Sequence, residues 1–247
     1  MLLVLYKDYN ADFGEFENYP DIIFKEYYIP QKNERDIYEG VFILGDDCER
    51  MINAWVGTPH LRVCGDIEEL KAELEFLLGT EIPLEIERKF LIKYPDINLL
   101  KSLPCVASVE ITQTYISPES GERYRVRKRG KDGNYIYFHT IKRKISNIKR
   151  IEEERIITEE DYEAYLKEEN AVKYQLSKER YCLFFGNRYF EIDVFPFWED
   201  KAYIEIELKN ESENISLPPY IEIIKEVTED SSYNNFSLAK TYGKRIL

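Results

Sequence analysis

Acidic and basic side chains recur at every second position in one stretch of this chain after another. Glu85, Glu87 and Lys89 are spaced that way, as are Arg123, Arg125, Arg127 and Arg129. Lys142 and Lys144 follow, then Arg150, Glu152 and Glu154, then Lys178 and Arg180, Glu191 and Asp193, and last Glu205 and Glu207. In a β-strand, side chains at i, i+2 and i+4 line one face, so each stretch projects its charges together. Any one of them alone reads as a half-buried strand with its charges in solvent. Repetition weighs against that reading, because a face carrying several arginines cannot be buried without anionic partners. Carboxylates and cations gathered this way suit a polyanion and its metals. Hard oxygen ligands hold Mg²⁺ or Mn²⁺, and Arg and Lys hold phosphate oxygens.

The elements that would position these residues can be read from the apolar pattern. Residues 1–45 alternate short apolar runs with acidic and aromatic residues, as short strands of a small α/β unit do. Val41-Phe42-Ile43-Leu44-Gly45 has the look of a nucleotide-binding strand, yet no Gly-x-x-x-x-Gly-Lys-Ser/Thr segment lies near it. A helix is expected over 47–55, a strand over 59–63, and a helix over 67–78 capped by Asp66 and ended by Gly79. A second domain begins near Glu81, giving a division at 1–80 and 81–247. Its strands are expected at 84–92, 111–116, 123–129, 135–145, 150–154, 177–181, 189–195 and 203–208. Gly130-Lys131-Asp132-Gly133-Asn134 marks a hairpin. Thr158 caps a helix running to about 169, with Tyr162, Tyr165 and Leu166 on its apolar stripe. A last strand and helix are expected over 221–239.

This is an α+β chain, and its charge pattern favours an eight-stranded antiparallel closed β-barrel with flanking helices over a sandwich. With the charged face inward, the lumen takes Glu85, Glu87, Glu152, Glu154, Asp193, Glu205 and Glu207 together with Lys89, Arg125, Arg127, Lys142, Lys178 and Arg180. Eight strands leave room for side chains or one small ligand. His139 is out of phase with Lys142 and is expected outside the barrel, so no histidine base is read here.

The composition excludes several classes of partner. A net charge of −13 over 247 residues argues against sequence-blind binding of nucleic acid or of anionic membrane. No apolar run approaches the length of a membrane span. The opening Met-Leu-Leu-Val-Leu-Tyr lacks the features of a signal peptide, and a cytoplasmic location is expected. Cys48, Cys64, Cys105 and Cys182 form no Cys-x-x-Cys pair, so buried free thiols are expected.

Leu84-Glu85-Ile86-Glu87-Arg88-Lys89-Phe90-Leu91-Ile92 resembles the opening signature of CYTH domains, the triphosphate tunnel metalloenzymes. The likeness continues in order through Gln113-Thr114-Tyr115, Arg125-Val126-Arg127, Thr140-Ile141-Lys142, Arg150-x-Glu152-x-Glu154, Lys178-x-Arg180, Glu191-x-Asp193 and Glu205-x-Glu207, across about two-thirds of the chain. It implies a tunnel that binds a triphosphate-containing small molecule with Mg²⁺ or Mn²⁺, centred catalytically on Glu85, Glu87 and Lys89. Lys89, Arg125, Arg127, Lys142, Arg150, Lys178 and Arg180 would contact phosphate. Glu85, Glu87, Glu152, Glu154, Asp193, Glu205 and Glu207 would hold metal. The activity implied is hydrolysis of tripolyphosphate or a nucleoside triphosphate, with RNA 5′-triphosphate and thiamine triphosphate as substrate variants. A class IV type adenylyl cyclase and a non-catalytic triphosphate-binding module stand as alternatives, and a homodimer is compatible with each. Ala54-Trp55-Val56-Gly57-Thr58-Pro59-His60-Leu61-Arg62-Val63, with the helix after it, resembles the C-terminal end of a P-loop ATPase domain that lacks its Walker A segment.

Overall fold

A computed structural model of the chain describes residues 1–7, 11–31, 34–45, 49–58, 61–79, 84–119, 122–144, 149–186, 188–208 and 213–246. Within these, the side chains at 15, 36, 76, 77, 84, 85, 142–144 and 149–152 lie outside the described set. The sequence-predicted Glu85, Lys142, Arg150 and Glu152 are therefore placed by backbone alone, and His60 lies outside the described residues.

Two compact units divide the chain. One comprises Met1–Glu81, Ile97–Ala107 and Cys182–Phe190, and the other comprises Ile82–Asp96, Ser108–Tyr181 and Glu191–Leu247. In the first unit, strands β1 (Leu2–Tyr6), β2 (Ile22–Glu26), β3 (Gly40–Leu44) and β4 (Leu61–Cys64) form a parallel sheet in the order β2-β1-β3-β4. Helices α1 (Glu49–Trp55) and α2 (Ile67–Gly79) belong to it. Continuous apolar strands suit a parallel sheet covered on its faces. Leu2, Val4, Phe42 and Cys64 accordingly pack with Leu70 and Leu74 of α2 and with Phe13, which stacks on Phe24. Helix α3 (Ile97–Ser102) was not foreseen, since six residues are too few to show a helical period.

The second unit is built on a large sheet. Its strands are β5 (Leu84–Lys93), β6 (Val106–Pro118), β7 (Tyr124–Lys131), β8 (Asn134–Lys144), β9 (Lys149–Ile157), β10 (Ala171–Phe185), β11 (Arg188–Val194), β12 (Lys201–Glu207), β13 (Ile223–Glu226) and β14 (Lys244–Ile246). They follow the order β11-β12-β5-β9-β8-β7-β6-β10-β14, with β13 beside β5 and a further pairing of β10 with β11. Every described register among β5 to β9 and β12 is antiparallel.

Local chemistry fixes the turns. Asp132 and Gly133 both take positive φ, 53° and 82°, which is the two-residue turn that an Asp-Gly hairpin favours. Helix α4 (Glu159–Leu166) starts in a capping box, where the Thr158 hydroxyl accepts from Asp161 N at 3.0 Å and Thr158 N donates to the Asp161 carboxylate at 3.4 Å. It ends about three residues earlier than the sequence suggests, because Asn170 turns the chain at φ 58° into β10. The buried Lys173 ammonium then donates to the Leu166 and Glu168 carbonyls at 2.7 and 3.1 Å, satisfying the helix end. One face of β7 and β8 packs on α4 through Val126, Tyr137 and Tyr162, with Tyr124, Tyr165 and Leu166 around them. Helix α5 (Asn235–Tyr242), capped by Asn234, places Leu238 and Ala239 in a second apolar cluster. Of the free thiols, Cys64 and Cys182 are buried and Cys105 is half-buried.

Candidate functional site

Register brings the charged positions together. Lys89 of β5 stands opposite Glu205 of β12, and Glu87 opposite Glu207. The Lys89 ammonium lies 2.6 Å from the Glu205 carboxylate and 4.0 Å from that of Glu87. From β10, Arg180 donates through Nε to Asp193 Oδ1 at 2.6 Å and through Nη2 to Asp193 Oδ2 at 2.7 Å. The same Nη2 reaches Glu205 Oε2 at 2.9 Å. Lys178 also donates to Asp193, and Arg180 Nη1 to Glu191. Lys89, Lys178, Arg180, Asp193 and Glu205 thus form one interlocked set contributed by four strands. All five are buried, Asp193 to 0% exposure.

A second group sits on β7, β8 and β9. The Arg125 guanidinium is 3.1 Å from both the Thr140 hydroxyl and the Glu154 carboxylate. Arg127 donates to Glu154 at 2.6 Å, and the Thr140 hydroxyl donates to Glu154 at 2.6 Å. The register explains this grouping, because Arg125 faces Thr140 and Thr140 faces Glu154. Arg127 also lies 4.8 Å over the Phe138 ring. By backbone, Lys142 pairs with Glu152 and Glu85 with Arg150.

Burial and charge set the protonation of the first group. Burial, with Arg180's charge beside it, pushes the Lys178 ammonium down to about 8, against the pull of Asp193 and Glu205. Burial opposes ionisation of Glu205 as well, but Lys89, Lys178 and Arg180 hold its carboxyl well below the usual range. Arg180 is raised well above its ordinary value by Asp193 and Glu191, despite burial. Burial pushes the Glu191 carboxyl up, with Arg180 opposing and neighbouring carboxylates adding to the rise.

Of the sequence-predicted residues with described side chains, Glu87, Lys89, Lys178, Arg180, Asp193 and Glu205 come together, with Glu207 in register beside Glu87. Arg125, Arg127 and Glu154 form the other group. Sequence reasoning left Glu191 and Thr140 out of the site, although each is in phase with a residue it included. His139 lies on the opposite face, stacked on Tyr124 at 5.0 Å and near Tyr165 at 5.1 Å. Among the described residues, no three His, Cys, Asp or Glu side chains are grouped to hold a metal ion. Cations stand between the carboxylates instead. No helix among the described residues is long and apolar enough to cross a membrane.

No family model matches this chain, and no curated protein matches it. Solved structures similar to part of it include the inorganic triphosphatase NE1496, 29% identical with a TM-score of 0.40 over 63% of this chain and 93% of that one. HpAC1 from Hippeastrum, described with a dominant triphosphatase activity, is 15% identical with a TM-score of 0.38, covering 51% of this chain and 80% of that one. PH1012 from Pyrococcus horikoshii OT3 is 20% identical with a TM-score of 0.37 and the same coverage, 51% and 80%. At such TM-scores these likenesses do not decide the activity, which is read from the side chains.

Proposed function

We propose that the protein is a metal-dependent triphosphatase that hydrolyses the terminal phosphate of inorganic tripolyphosphate or of a nucleoside triphosphate inside a charged β-barrel tunnel. The observation that carries this reading is the interlocked set of Lys89, Lys178, Arg180, Asp193 and Glu205. Burying so many charges costs more than an apolar core of the same shape, so stability alone gives little reason to retain them. The pairing of β10 with β11, added to the order of the other strands, supports a closed barrel with this face inward.

The cations would exchange their carboxylate partners for phosphate oxygens as the substrate enters. Arg180 offers a planar fork suited to two oxygens, and Lys89 and Lys178 act as point charges. Arg125 and Arg127 would reach a more distant part of the same chain. The donor chemistry fits Mg²⁺ or Mn²⁺, since Glu87, Asp193, Glu205 and Glu207 are hard oxygen donors and Glu205 is held anionic. Glu85, Glu152 and Glu154 complete the proposed set. When bound, such an ion would polarise phosphoryl oxygens and lower the pKa of a bound water. The protein's own part is to orient the chain and neutralise its charge, which accounts for most of phosphoryl-transfer catalysis.

Phosphorus NMR of tripolyphosphate and of ATP incubated with the protein and Mg²⁺ or Mn²⁺ tests the reading against a Glu87→Ala control. Orthophosphate that disappears in the control is expected. Pyrophosphate with a cyclic nucleotide would make the protein a cyclase, and bound but unchanged substrate would make it a binding module.

A further inference from the structure

In β5, β10 and β12, and just past the end of β11, the charged face stops in the same way. Two residues beyond Lys89 stands Leu91, two before Glu205 stands Tyr203, two beyond Asp193 stands Phe195, and two before Lys178 stands Leu176. Tyr115 stands two beyond the buried Gln113 in β6. All five belong to one apolar cluster with Val227 and with Leu238 and Ala239 of α5. The register sets the layer directly against the acid–base set, with Leu91 opposite Tyr203 and Lys89 opposite Glu205. The Phe195 and Tyr203 rings meet at 5.5 Å, and the Lys89 ammonium lies 5.3 Å from the centre of the Tyr203 ring.

Tyr203 is the exception within this layer. It is fully buried, yet among the described residues its hydroxyl has no hydrogen-bond partner. Buried hydroxyls are nearly always satisfied, and a phenylalanine would fill the same space without that penalty. An unsatisfied donor beside a polyanion site is what a phosphoryl oxygen would complete.

Resting on the triphosphatase reading, we propose that this layer is the floor of the site and that Tyr203 is a positioning residue on it, donating its hydroxyl proton in a hydrogen bond to the terminal phosphoryl group beside Lys89. The floor makes the substrate bind end-on. Whatever follows the terminal phosphates, a nucleoside or further phosphate, projects away from α5. Each turnover then adds water across the terminal P–O–P bridge. The water oxygen bonds to the terminal phosphorus, the bridging oxygen leaves with the shortened chain, and the water's protons pass to the product phosphates or to solvent. Phosphates leave one at a time, and a chain is never cut in its middle.

The full chain with Mg²⁺, given a linear polyphosphate of medium length, is followed by phosphorus NMR, which counts chain ends and middle groups separately. A constant number of chain ends with accumulating orthophosphate is expected, and a rising number of ends overturns the floor. Tyr203→Phe keeps the ring and should melt like wild type while kcat/KM for tripolyphosphate falls about tenfold. Unchanged kcat and KM would overturn the role of the hydroxyl. If the wild type releases no orthophosphate, the triphosphatase reading fails and the floor is read by calorimetric titration instead. Tyr203→Phe should then weaken binding of linear tripolyphosphate but not of cyclic trimetaphosphate, which has no end to seat. Equal effects on both, or on neither, would overturn the floor.

Discussion

Asp193→Asn is the sharpest perturbation of the acid–base set. The change keeps shape and one acceptor oxygen, and removes a charge that both Lys178 and Arg180 face at hydrogen-bond distance. Asp193 is 0% exposed, so water cannot replace what is lost. Breaking a buried ion pair by removing one partner costs about 3–5 kcal/mol. At about 2–4 °C per kcal/mol for a chain of this size, the melting temperature should fall by roughly 6–20 °C. Lys178→Met should behave differently. Burial already pushes that ammonium down to about 8, so the fold is working against its charge, and Arg180 still holds Asp193 through two bonds. Its loss should cost less than the Asp193→Asn change, because Asp193 keeps a cationic partner. The double variant restores the wild-type balance of charge and should recover more than half of the Asp193→Asn loss, a coupling expected of residues in contact. Thermal unfolding followed by circular dichroism measures all three. Asp193→Asn melting alongside wild type, or a double variant no more stable than Asp193→Asn, would refute the assignment of Asp193 as the anion that keeps these cations buried.

Three further outcomes follow from the same structure. Burial and Arg155 lower the pKa of His139, so between its folded value and its ordinary one the unfolded chain binds more protons; stability should fall as pH drops below about 6.5, and a His139→Phe variant should flatten that slope in melts from pH 7.5 to 5. Lys173→Met strips two carbonyls at the end of α4 of their buried donor and should cost about 1–3 kcal/mol, with amide exchange in α4 accelerated more than in β5 or β12. Chelation by EDTA should abolish orthophosphate release and added Mn²⁺ should restore it, while Glu205→Gln should weaken Mn²⁺ binding by roughly tenfold or more in calorimetry; release that persists in EDTA would remove metal from the mechanism.

The period of two made the charged face legible because it is local: the backbone of a strand fixes that Glu87 and Lys89, or Arg125 and Arg127, point together before any tertiary contact forms. The Asp-Gly turn and the Thr158 cap were legible for the same reason. Partner choice was not, since Lys89 meets Glu205 and Arg180 meets Asp193 only through registers between strands distant in sequence. Glu191 shows the limit well. Its phase with Asp193 was visible, but that Arg180 would reach both carboxylates depends on how β10 lies against β11. The apolar layer marks a subtler gap. Sorting each strand into a charged inner and an apolar outer face treats the inner face as charged throughout, whereas Leu91, Leu176, Phe195 and Tyr203 are in phase with the charges. Continuing the same period by one step past Lys89, Lys178, Asp193 and Glu205 finds apolar residues at the same end of four strands. Such a coincidence separates a charged band of limited depth from an open channel, because a through-channel would have to stay polar to both rims. On the proposed triphosphatase reading, the depth of that band limits how much polyanion the site would bury, which is why the count of chain ends bears on the fold as directly as on the activity.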